Sequence, residues 1–149
     1  MLHCIAIHIS MIKKIITKDG RKIMKDNRFG TAINCIDGRV QLPVLNWLKR
    51  SYSVRYVDTI TEPGVDRVFS ETNVDRIQQL KSKVIMSRNA HGSSIVVISG
   101  HYDCAGNPVT KNEHLNHIKK ASEIIKSWNL PVKVVGLWVN ENWEVEELV

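Results

Sequence analysis

The chain has 149 residues, a formal net charge of +6 and 43% hydrophobic residues. That is one domain's worth of chain, with enough apolar content to bury a core, and no apolar run approaches the roughly 20 residues of a membrane span. Residues 1–28 carry seven Lys/Arg against two Asp, while the rest carries fourteen basic against thirteen acidic residues. No basic stripe therefore marks the folded body, and neither nucleic acid nor membrane is expected as a partner.

The N-terminus, MLHCIAIHISMIKKIITK, runs from apolar to basic. A secretory signal has the opposite order and a small-residue cleavage site, and a mitochondrial transit peptide is richer in arginine. Residues 1–28 are expected to form a basic segment apart from the domain, disordered or preceding a true start at Met11 or Met24. His3, Cys4 and His8 lie there and carry no expectation of a metal. Three cysteines are too few, and odd in number, for a disulfide framework, so a reducing cytoplasm is expected.

From residue 29 strand and helix alternate. Thr31–Ile36 reads as a first strand, stopped by Asp37-Gly38, with Pro43 in the first turn of a helix running through Leu45, Leu48 and Lys49. Val54–Ile60 is a second strand, ended by Glu62-Pro63-Gly64. Asn73 reads as the N-cap of a helix whose apolar stripe is Val74, Ile77, Leu80, Val84 and Ile85. Ser94–Ser99 is a third strand, apolar on both faces as a central parallel strand should be. Asn112–Trp128 is a helix with Leu115, Ile118, Ser122 and Ile125 on one face, broken by Pro131. Val132–Val139 is a fourth strand, and Trp143–Leu148 a short edge strand after a turn at Asn140–Asn142. The pattern predicts an α/β domain over 29–149: a mostly parallel sheet of four strands plus a short edge strand, with helices on both faces.

In such sheets ligands bind beyond the carboxyl ends of the strands. Cys35 closes the first strand, and His101 and Cys104, in HYDCAGN, follow the third. If these strands are neighbours, the three residues meet. Cys, His and Cys form the ligand set of one kind of catalytic zinc site, with a fourth position left for water. His101 and Cys104 are spaced so that one turn brings both to one ion, with Cys35 as the distant third ligand. Two thiolates acidify bound water less than three imidazoles do, so a nearby group must orient it. Asp37 is placed for that, and Arg39 to hold Asp37 ionised. Each half alone is weak, since a buried Cys is most often a small hydrophobe; C-x-D-x-R at one strand end with H-x-x-C at another is stronger.

At Cys35-Ile36-Asp37-Gly38-Arg39 and Gly100-His101-Tyr102-Asp103-Cys104 the chain resembles the β-class carbonic anhydrases. The resemblance spans roughly residues 29–148 and is similar to the shorter, divergent branch of that family. It implies a zinc lyase: zinc on Cys35, His101 and Cys104, and an Asp37–Arg39 pair orienting a zinc-bound hydroxide that attacks carbon dioxide to give bicarbonate. In some members the aspartate takes the fourth zinc position at rest. The resemblance also implies a homodimer or higher homo-oligomer. Three places depart from the family pattern. Gly38 replaces a serine, Ala105 and only then Gly106 follow the second cysteine where a glycine should stand, and Thr61-Glu62-Pro63-Gly64 replaces Arg-Asn-Ala-Gly.

The remaining polar residues carry blander expectations. Gln41 belongs to the first turn of a helix, and Tyr102 and Asp103 are set by loop geometry. His114 and His117 sit on a solvated helix face, a proton-shuttle role being the sharper alternative. His91, beside Gly92, is expected as a helix C-terminal residue interacting with the macrodipole. Trp47, Trp128, Trp138 and Trp143 are core or interface aromatics. Two other activities fit the same residues: hydrolysis of carbonyl sulfide or carbon disulfide, and a non-catalytic zinc-stabilised binding domain.

Overall fold

Strand and helix alternate from residue 29 as the pattern requires. The computed structural model describes residues 15–16, 22–23, 28–71 and 73–149. Two short strands, β1 (Ile15–Ile16) and β2 (Lys22–Ile23), pair antiparallel. The expectations for the rest of residues 1–27, with His3, Cys4 and His8, lie outside the described residues. The following elements are β3 (Phe29–Asn34), α1 (Gly38–Tyr52), β4 (Tyr56–Thr61), α2 (Val65–Val68) and α3 (Val74–Met86). A π-turn at Ser87–His91 leads to β5 (Ile95–His101), α4 (Lys111–Ser127), β6 (Lys133–Val139) and β7 (Val145–Glu147).

The main sheet has the order β4–β3–β5–β6–β7. Its first four strands are parallel, and β7 returns antiparallel along β6. All seven residues of β5 are buried, which is the reason its sequence lacks a polar face. On one side of the sheet Val40, Val44 and Leu48 of α1 pack on Ala32, Val97, Val135 and Leu137. On the other, α2, α3 and α4 bring Val65, Leu80, Val84 and Ile125 onto Ile33, Val96 and Ile98. Gly136 permits the close approach of α4, because a Cβ there would come within 2.7 Å of Ile118 Cγ2.

Most elements fall within a residue or two of expectation, and three differences bear on the site. The first strand ends at Asn34, so Cys35 is the first residue past it. The first helix begins at Gly38 rather than near Pro43, because the Asp37 carboxylate caps it by accepting the backbone N–H of Arg39 (2.9 Å). The third strand runs on to His101, which is thereby fixed within the sheet. Neither the β1–β2 pair nor α2, a single helical turn after Pro63-Gly64, was expected.

Candidate metal centre

β3 and β5 are adjacent and parallel, with Ile33 opposite Ile98, so their carboxyl ends lie side by side. Cys35 leaves the first and His101 closes the second. A turn through Asp103, in the left-handed region at φ 55° that Asp tolerates, brings Cys104 back. The ligand atoms of Cys35, His101 and Cys104 all lie within 4.8 Å of one another. The two sulfurs are 3.8 Å apart, and the three residues are 5%, 1% and 4% exposed.

These residues fit a metal ion on two counts. His101 Nδ1 is bonded to the Tyr102 carbonyl (2.8 Å), which leaves Nε2 buried and without a hydrogen-bond partner. An orphaned ring nitrogen next to two buried sulfurs is costly unless something coordinates it. Two thiol sulfurs and an imidazole are also the donor chemistry of a borderline-soft divalent cation. Asp37 is not a member of this group.

The sulfur pair favours a single negative charge, carried by Cys35. The Cys35 thiol is lowered to about 4, chiefly because Cys104 hydrogen-bonds to it against the cost of burial, with His101 and the backbone N–H groups of Asp37 and Gly64 adding to the effect. The Gly64 N–H donates to Cys35 Sγ at 3.4 Å. Cys104 is pushed up, first because it serves Cys35 as donor and then by burial. Burial opposes protonation of His101, but the Cys35 sulfur, the Tyr102 carbonyl and the charge of Asp37 outweigh it and raise its pKa.

Beside the buried group lies an exposed rim built on Arg39. Its Nη2 and Nε donate to Asp37 Oδ2 at 2.7 and 3.1 Å, and Nη1 reaches Asp103 Oδ2 at 3.1 Å. Its guanidinium also lies 4.6 Å from the centre of the Trp143 ring, so the hairpin between β6 and β7 supports it from below. The Asp37 carboxyl is held down to about 2, mainly by these side-chain hydrogen bonds from Arg39. Gln41 sits in the first turn of α1 and donates its amide to the carbonyls of Cys35 (2.8 Å) and Asp37 (2.9 Å), so it braces the segment carrying Cys35.

One expectation is corrected. His114 does not face solvent: it is 2% exposed, and its Nδ1 is 2.6 Å from Oδ2 of Asp66, itself buried. The buried stripe on α4 is His114, Ile118, Ala121, Ser122 and Ile125, so Ile118, Ser122 and Ile125 stand where the spacing put them, while His114 rather than the half-buried Leu115 opens the stripe. His117 is 22% exposed, with Nδ1 3.1 Å from the Asn107 amide nitrogen. His91 ends the π-turn and meets Asp58 at 2.7 Å. Trp138 is core, Trp128 and Trp47 are ring partners of Phe69 and Tyr52, and Trp143 joins the rim. A cleft of about 430 Å³ runs past Tyr102, Cys104, Lys111, His114 and Trp138, but none of Cys35, His101, Asp37 or Arg39 lines it.

The fold and the buried cluster together define a parallel α/β protein with a Cys–His–Cys group able to hold a metal ion. Residues 25–149 match the family described as "Putative carbonic anhydrase", and the chain belongs to that family. Among solved structures, a carbonic anhydrase from Glaciozyma antarctica is similar at a TM-score of 0.52 and 14% identity, covering 80% of this chain and 81% of its own. At that identity the likeness speaks for the fold. No curated protein matches the sequence.

Proposed function

We propose that the protein is a zinc-dependent carbonic anhydrase, a lyase of the β class that interconverts carbon dioxide and bicarbonate. The reading rests on one observation above the others: three buried donors converge within 4.8 Å beside an ionised, arginine-held aspartate at the rim. Cys35, His101 and Cys104 would hold the zinc. When bound, zinc supplies acidification of water near neutral pH.

The chain's own groups do the rest. Arg39 donates to both oxygens of Asp37 and keeps the carboxylate charged across the working pH range. Asp37 is 20% exposed at its side chain, so it remains open to an O–H from the attacking oxygen. Accepting that proton in a hydrogen bond turns the oxygen's free lone pair toward the carbon of carbon dioxide, which is positioning in the sense of a near-attack geometry. Asp103 and Trp143 keep Arg39 from swinging away. Because the ligands act as thiolates, a reducing compartment such as the cytoplasm suits the site. We read the working form as a homodimer, to be checked by light scattering.

The test is the rate of carbon dioxide hydration, by stopped flow from pH 6.5 to 9, on protein of measured zinc content. A rate far above buffer that rises with pH and vanishes in Cys104→Ser is expected. Full zinc occupancy with no rate at any pH would overturn the reading and favour a closed site or a sulfur-containing substrate.

A further inference from the structure

Two of the places where the sequence departs from the β-class pattern meet in space. Gly64, the last residue of Thr61-Glu62-Pro63-Gly64, packs against Gly106. A Cβ on Gly64 would lie 2.4 Å from Gly106 O, and one on Gly106 would lie 2.5 Å from Gly64 N. Gly64 also adopts φ +54°. Its N–H points at Cys35 Sγ, while Gly106 follows Cys104 by two residues. A single backbone contact therefore joins the segments of both sulfur ligands.

Just beyond these glycines, at Asp66 and Asn107, a second tie forms. Asp66, in α2, is 2% exposed, and its Oδ2 accepts the Asn107 amide at 2.9 Å and lies 2.6 Å from His114 Nδ1. The Asn107 backbone N–H in turn bonds the Cys104 carbonyl at 3.2 Å. Asp66 also packs against Gly100, the residue before His101: a Cβ on Gly100 would lie 3.0 Å from its Oδ2. So one buried carboxylate touches the segments carrying His101 and Cys104, and α4 anchors it from behind through His114.

We propose that Asp66 and Asn107 are positioning residues of the metal centre, holding the Cys104 segment at ligating distance from Cys35 before the ion arrives. The inference rests on metal binding by Cys35, His101 and Cys104, but not on the reaction. Outer contacts of this kind are worth 10–100-fold in metal affinity. Asn107 gives the cleanest probe, because its Oδ1 is buried and has no partner. Truncating it removes an unsatisfied acceptor, but it also takes a donor from the buried Asp66 carboxylate, so a loss of metal-free stability accompanies the loss of the tie and is measured separately.

The experiment is zinc affinity of the full chain by chelator competition, with urea unfolding of the metal-free protein alongside. Asn107→Ala should weaken zinc binding about 10–100-fold under conditions where the urea curve shows its metal-free form still folded, at a midpoint lowered by the lost Asp66 contact. Asn107→Asp, which sets a second carboxylate against Asp66, should weaken it further. Zinc affinity within about threefold of the unaltered chain in both variants, whatever their stability, would overturn the proposal. So would an unaltered chain that binds no zinc. If the variants lose affinity while the unaltered, zinc-loaded chain hydrates no carbon dioxide, the positioning role stands and the proposed reaction falls.

Discussion

Two carboxylate clusters flank the same Cys–His–Cys group, and they differ chiefly in their exposure to water. On one side Asp37, Arg39 and Asp103 form a rim whose side chains are 20%, 46% and 68% exposed. On the other, Asp66 and His114 are each 2% exposed. Contacts of similar length thus serve different ends. Exposed pairs are screened and add little to folding, which leaves the rim free to be shaped for chemistry. A buried carboxylate that loses its partners, or leaves them unpaired, is expensive, so the inner cluster fixes geometry.

That contrast can be broken at several points. The largest effect should come from the ligands the two clusters share. Cys104→Ser, or chelation of the unaltered chain, should take hydration to the buffer rate, and zinc should restore it only in the unaltered chain; metal analysis alongside the rate decides. Next is the inner cluster. Asp66→Ala takes the shared carboxylate from two buried groups, the Asn107 amide and His114 Nδ1, at roughly 1–3 kcal/mol each, so urea unfolding should show a loss of about 2–6 kcal/mol, seen as a lower midpoint with an unchanged slope. A midpoint shift too small to measure would refute the distinction.

The rim should behave in the opposite way. Arg39→Gln should lower the hydration rate by about 10²–10³-fold, the scale of losing one electrostatic positioning group, while the urea midpoint hardly moves. The smallest effect concerns acid. A carboxyl held low in the fold stabilises above its unfolded value, ~3.9 for Asp, and that contribution is lost as pH falls toward the folded value, here about 2. Between pH 5 and 2.5 the unaltered chain should therefore lose slightly more stability than Arg39→Gln does. The difference should shrink in 1 M salt, where the screening length is about 3 Å.

The outer side of the site was legible in the sequence, and the inner side was not. Cys35, Asp37 and Arg39 stand within five residues, and His101 and Cys104 within four, so local spacing displayed them. Alternation of elements displayed the parallel sheet, and the adjacency of β3 and β5 then brought the two halves together. Asp66 had no such signal. It lies in a helix of four residues, too short for periodicity, and its partners Asn107 and His114 are 41 and 48 residues away. His114 was readable on the stripe it shares with Ile118, but its polarity argued for solvent, and only a buried acid contributed by another element reverses that argument.

The contact between Gly64 and Gly106 has an evolutionary consequence. Neither position has room for a side chain while the other backbone stays where it is. A lineage could therefore change one only after the other segment had moved. The glycine after Pro63 and the one two places past Cys104 should be inherited as a pair, kept together or lost together, with each branch of the family marked by where its pair stands.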